Sequence, residues 1–201
     1  SETLAALGLG NTGAVSVWLR FGETAVAEAP GADPMAELCL LDLKATSNTG
    51  PARAGRDDAE RAYRGLPPGI WHAGACLAFG VWAWTIGEDG AEAVIEEGID
   101  EASVLGAPAL EAYCCAVRSM MAHVEGDAVA SRSLALRAWQ VASDHGLSRV
   151  PGMAIVNAQH ALVSAAGGDA EGARSDWQLA RSQLAMFRDL SGWANVHTRL
   201  A

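Results

Sequence analysis

The chain is short of positive charge, of aromatic residues and of paired cysteines. Only 14 Lys and Arg stand against 24 Asp and Glu, a formal net charge of −10 over 201 residues. The cations are scattered, with no basic run. Displacing counterions from a nucleic-acid backbone takes clustered cations, so direct contact of this segment with DNA or an anionic membrane is not expected. The four cysteines, Cys39, Cys76, Cys114 and Cys115, include no C-x-x-C pair and lie in apolar stretches. There a free thiol behaves as a small hydrophobe, which predicts a reduced, cytoplasmic setting. A basic start of the signal-peptide kind is missing.

Other absences narrow the chemistry. No phosphate loop G-x-x-x-x-G-K-[ST] occurs, and no serine lies in G-x-S-x-G or S-x-x-K. Among His72, His123, His145, His160 and His197 there is no H-x-x-x-H or H-E-x-x-H, and no His is paired with a Cys at ligand spacing. A zinc site is therefore not expected, and neither catalytic residues nor cofactors are assigned. Asp144-His145-Gly146 reads as a helix end, with the imidazole near the negative pole and Gly146 as the stop. The acids Glu96, Glu97, Asp100 and Glu101 read as one solvated helix face. Gly8, Gly10 and Gly13 do spell G-x-G-x-x-G. A dinucleotide site needs a buried strand before the first of them, and "SETLAA" reads as helix, so a turn between helices is the simpler account. One uncharged stretch, Ile70 to Ile86, has 17 residues. A spanning helix needs about 20, so a buried helix is predicted.

What the sequence does contain is helical periodicity. The seven prolines fall in separated groups that punctuate stretches with few breakers. Apolar residues recur at helical spacing in Ala14, Trp18, Phe21 and Ala25, in Ala91, Val94, Ile95, Gly98, Ile99 and Ala102, in Leu134, Ala135, Ala138, Trp139 and Ala142, and in Ala173, Trp177, Ala180 and Leu184. No period-2 run is bounded by turn residues, so strands are not expected. Helices are predicted at 14–28, 34–48, 57–65, 70–86, 90–104, 109–124, 128–143, 151–166 and 170–188, with another opening near Trp193. In space these form hairpins at roughly 5–28, 34–65, 70–104, 109–143 and 151–188, and the incomplete hairpin at each end suggests a fragment of a longer chain. The region is treated as one domain, residues 1–201.

The segments "IGEDGAEAVIEEGIDEA", "VEGDAVASRSLALRAW" and "AAGGDAEGARSDWQLA" share a Gly-Asp or Glu-Asp turn followed by an amphipathic helix with small inner residues. Aligning Ala59, Ala91, Ser131 and Ala173 gives steps of 32, 40 and 42 residues. The last unit, "AIVNAQHALVSAAGGDAEGARSDWQLARSQL", places Gly168-Asp169 at the turn and Ala173, Trp177 and Ala180 beyond it, and so resembles a tetratricopeptide (TPR) repeat. Asn157 and Cys115 stand where that family's first helix carries a Trp, and the step of about 40 exceeds the family's 34. Ala-rich repeats of this length are similar to the TPR-like region of large MalT-like, LuxR-type transcriptional regulators of high-GC bacteria.

That resemblance implies an all-α, right-handed superhelix of about five TPR-like hairpins. It also implies a non-catalytic sensor region that binds a small effector or a protein partner in a concave groove, with DNA binding left to another domain of the parent. The family pattern puts Tyr113, Ala116, Met120 and His123, and Ile155, Ala158, Leu162 and Ala165, on the groove. Trp82 and Trp84 lie two apart on one helix and cannot face the same way, so one of them is a further candidate for the groove or for another part of the parent. The alternative is a protein–protein scaffold with no small ligand. Trp177 is expected to fill a space between helices.

Overall fold

In the computed structural model residues 12–47 and 51–185 are described. Gly8 and Gly10, the helix expected before them and the one expected near Trp193 lie outside this range. Among the described residues the chain forms nine α-helices and no strand: α1 Thr12–Glu28, α2 Pro34–Thr46, α3 Ala52–Gly65, α4 Ile70–Thr85, α5 Ala91–Val104, α6 Pro108–Glu125, α7 Ala128–Asp144, α8 Ala154–Ala166 and α9 Ala170–Leu184. A 3₁₀ turn, Pro151–Met153, precedes α8. Ala52–Gly65 begins five residues before the predicted start at 57. Among the described residues no helix is long and apolar enough to cross a membrane, Ile70–Thr85 included.

The ends of the helices follow from local chemistry. Asp33, Asp127 and Asp169 are N-caps whose carboxylates accept from the backbone N–H groups of Ala36, Ala130 and Gly172 at 3.0, 2.9 and 2.9 Å. Pro34 and Pro108 sit in the first turn of their helices, where a missing N–H costs nothing. At the two expected Gly-Asp turns, Gly126 and Gly168 take φ of +85° and +88°, and the next N–H reaches back to the Ala122 and Ser164 carbonyls at 2.9 Å. One residue thus closes a helix and the next opens its partner. Gly146 stops α7 in the expected place, and His145 Nδ1 lies 3.0 Å from the Val141 carbonyl oxygen.

Each helix packs on its neighbours in sequence, most extensively α4 with α5, α6 with α7 and α8 with α9, while α3 packs as extensively on α4 as on α2. The leading helices of these pairs also meet one another: α2 touches α4, α4 touches α6, and α6 touches α8. The largest core cluster is built from Val81, Ile95, Ile99, Cys114, Cys115, Val117, Met120, Met121, Ile155 and Val156, among others. A smaller one joins Ala45, Ala59, Ala78 and Trp82, and another joins Ala62, Leu66 and Ala75. Small residues set how closely the two helices of a pair approach. A Cβ on Gly80 would stand 2.5 Å from Ile95 Cδ1, and one on Gly98 would stand 2.9 Å from Cys76 Cβ.

The long connection from α7 to α8 is held by buried amides. Gln183 Nε2 donates to the carbonyls of Ser148 and Val150 at 2.9 and 2.8 Å, and Asn157 Nδ2 donates to the Ser148 carbonyl and to Gln183 Oε1, both at 2.8 Å. Asn157 occupies the repeat position where a Trp was the family pattern. Here its amide nitrogen donates twice, to the loop and to Gln183, where an indole has a single N–H to give.

Candidate functional site

The residues expected on a groove are dispersed. Met120 and Ile155 are 1 % exposed, packed inside the main core, and have no surface to offer a ligand. The helix α6 is covered by α5, α7, α8 and, more lightly, α4, and α8 is covered by α6, α7 and α9, which turns both side chains inward. Ala116 and Ala158 are buried as well. Tyr113 packs half-buried against the same core, and burial pushes its phenol pKa well up. Leu162 is half-buried, while His123 and Ala165 are exposed. Trp82 and Trp84 do diverge. Trp82 is buried and donates from Nε1 to the Ala45 carbonyl at 2.9 Å, whereas Trp84 leans on the core formed with α6.

A different set of side chains converges where α3, α4 and α5 meet. It begins with a column of flat groups. Arg56 and Tyr63 lie two turns apart on α3, and His72 and Phe79 lie two turns apart on α4. Because the helices run antiparallel, the four interleave. The Arg56 guanidinium is 5.4 Å from the Phe79 centroid, Phe79 stacks on Tyr63 at 5.3 Å, and Tyr63 stacks on His72 at 5.4 Å. Such contacts contribute roughly 0.5–1.5 kcal/mol each beyond the area they bury. They fix the plane of the His72 ring.

On the other side α5 supplies acids. Gly98 brings it so near α4 that Glu97 and Glu101, one turn apart, flank His72 and Cys76, also one turn apart. Glu101 Oε2 lies 2.6 Å from His72 Nδ1, and Glu101 Oε1 accepts from the backbone N–H of Gly69. Glu97 Oε2 accepts from the Tyr63 hydroxyl at 2.8 Å, and this bond, with burial, raises the Tyr63 pKa to about 12. Cys76 Sγ is fully buried and 3.7 Å from His72 Nδ1. Burial pushes its thiol pKa far up, and the charges of Glu97, Glu101 and Asp42 push it further. One ring nitrogen of His72, Cys76 Sγ and a carboxylate oxygen of Glu97 all lie within 4.8 Å of one another.

Two expectations from the sequence are corrected here. His72 and Cys76 do stand at a ligand spacing, four apart on one helix face. Glu101 is not a solvated acid, since its side chain is only 15 % exposed. The H-x-x-x-C spacing was the available signal, hidden in a stretch that reads as continuous core.

Cys, His and Glu in contact invite comparison with a nucleophilic triad. In such a triad the imidazole takes the nucleophile's proton on one nitrogen and is oriented through the other. Here the thiol and the carboxylate both approach Nδ1. A reactive thiol also needs a lowered pKa, and that of Cys76 is raised. The arrangement is a set of convergent donors, and it is not a proton relay.

Asp42 on α2 completes the picture. It is 3 % exposed, its Oδ1 has no hydrogen-bond partner, and burial raises its pKa to about 7. It faces α4 at Gly74, where a Cβ would stand 3.3 Å from its Oδ2.

Comparison of the chain with protein-family models, with curated proteins and with solved structures returns no match.

Proposed function

We propose that this chain is a recognition region of TPR type, in which hairpins stack as a right-handed superhelix and the layer of leading helices receives a partner. The observation that supports it is the packing order among the described residues: each helix sits on the next in sequence, and the leading helices α2, α4, α6 and α8 add smaller contacts to one another. That order is the one a stack of hairpins with a layered surface would have. The residue chemistry agrees with a binding role in a cytoplasmic regulator of the MalT-like, LuxR-type kind, with DNA contact made elsewhere in the parent.

A protein partner suits this layer better than a small effector enclosed within it. Met120 and Ile155 fill the middle of the layer, so an enclosed ligand would have to displace core. An amphipathic segment needs only the rim, where His123 and Leu162 remain accessible. The experiment has two arms. Small-angle scattering of the purified chain should give an elongated, curved particle; a compact globule would overturn the superhelix. Amphipathic peptides selected for binding should then lose at least tenfold affinity to His123→Glu and Leu162→Asp, with the melting temperature unchanged. Binders that ignore both substitutions would overturn the recognition surface.

A further inference from the structure

We propose that His72, Cys76, Glu97 and Glu101 form a binding site for a zinc-class divalent cation, clamped between α4 and α5. The four donors come two from each of two facing helices, one turn apart on each, which is how helical scaffolds assemble inward metal sites. A nitrogen, a thiol sulfur and carboxylate oxygens are the ligand types zinc takes.

The distances fit without rebuilding the backbone. Zinc bonds of about 2.0 Å to nitrogen and 2.3 Å to sulfur at a tetrahedral angle require an N···S separation of about 3.5 Å. His72 Nδ1 and Cys76 Sγ stand 3.7 Å apart. Glu101 Oε2, now 2.6 Å from Nδ1, would part from it by under about 1 Å to admit an ion in place of the shared proton. A carboxylate oxygen of Glu97 is within 4.8 Å of a His72 ring nitrogen and of Cys76 Sγ, and Glu97 is exposed, so it also marks the entry path.

The surroundings favour a cation independently of that geometry. The buried carboxyl of Asp42 has an oxygen with no hydrogen-bond partner, and in its ionised form it adds negative potential at Cys76. Tyr63, stacked on His72 and bonded to Glu97, braces two of the donors at once. On binding, the thiol would give up its proton to solvent, and the imidazole would keep its single proton on Nε2, leaving Nδ1 to coordinate. No oxidation or group transfer is involved.

The site is separate from the partner-binding rim, so the two readings can fail independently. The test uses the full chain, free of any affinity tag, stripped with chelator and titrated with zinc alone and with cobalt as a spectroscopic reporter. The expected result is one ion per chain and a thiolate-to-cobalt charge-transfer band. Cys76→Ala should abolish that band, and His72→Gln and Glu97→Gln should each weaken zinc at least tenfold. Cys39→Ala should leave both readouts intact. Glu97 is exposed, so its variant stays folded and keeps the test decisive if a core variant does not. Absence of binding, binding without a thiolate band, or affinity unmoved by Glu97→Gln and His72→Gln would overturn the site.

Discussion

Gly98 and Cys76 face each other across α4 and α5 so closely that a methyl group on Gly98 would stand 2.9 Å from Cys76 Cβ and 3.3 Å from the Ala73 carbonyl oxygen. An Ala in mid-helix ordinarily gains about 1 kcal/mol over Gly. Here the new methyl meets a Cβ and a backbone atom, neither of which can rotate away. The clash should win, and Gly98→Ala should destabilise the chain by about 1–3 kcal/mol, read as a lower melting temperature by circular dichroism. A rise in melting temperature would mean that the two helices are not this close.

Asp42 makes stability depend on pH in an unusual direction. Its carboxyl is held near 7 in the folded chain, against an ordinary 3.8, because burial disfavours its charge. Between those values the folded state binds more protons than the unfolded one, so stability falls as pH rises from about 4 to about 7 and stays reduced above that. The ceiling on this loss is on the order of 4 kcal/mol. Cys39 on the same helix and Cys76 on α4 feel the same charge, which raises both thiols after burial has done so. Denaturant titrations at pH 5 and pH 8 should show Asp42→Asn closing most of the gap between the two conditions. An unchanged gap would place the effect elsewhere.

Two residues three apart on α6 should respond oppositely to truncation. Met120→Ala empties buried core and should cost about 2–5 kcal/mol, since Met120 is 1 % exposed. His123→Ala, on exposed helix, should stay within about 0.5 kcal/mol. Urea unfolding of both measures the register of α6 directly. Equal effects would show that the helix is rotated from the position described.

The helices were legible because their signals are local. Proline groups, Asp caps and the Gly126 and Gly168 turns each act within a few residues, and the helix limits followed them closely. The convergent donors were not legible for the converse reason. Glu97 and Glu101 read as one side of an amphipathic helix, and nothing in their own spacing says that Gly98 draws them onto α4. His72 and Cys76 sat in a stretch whose apolar character masked their separation. Met120 and Ile155 were allotted to a groove by repeat pattern alone, and that pattern does not count how many neighbours cover a leading helix. Trp177, expected to fill a space between helices, is half-buried.

The amides of Gln183 and Asn157 should govern how often the α7–α8 connection opens. Gln183→Leu leaves the Ser148 and Val150 carbonyls short of donors they now have. An unpaired buried polar group costs about 1–3 kcal/mol. Hydrogen exchange should speed up for residues 146–153 before it does so for α4 or α5. Uniform acceleration across the chain would instead indicate that this loop opens only with global unfolding.

Helix pairs that lean chiefly on their sequence neighbours also imply a particular mechanical character. Tension drawn between the two ends would meet one joint after another, and the chain would peel in successive small ruptures instead of yielding at a single breaking point. The joint between α3 and α5 made by Tyr63 and Glu97 would then be a latch, holding the second pair to the third until the pull exceeds it.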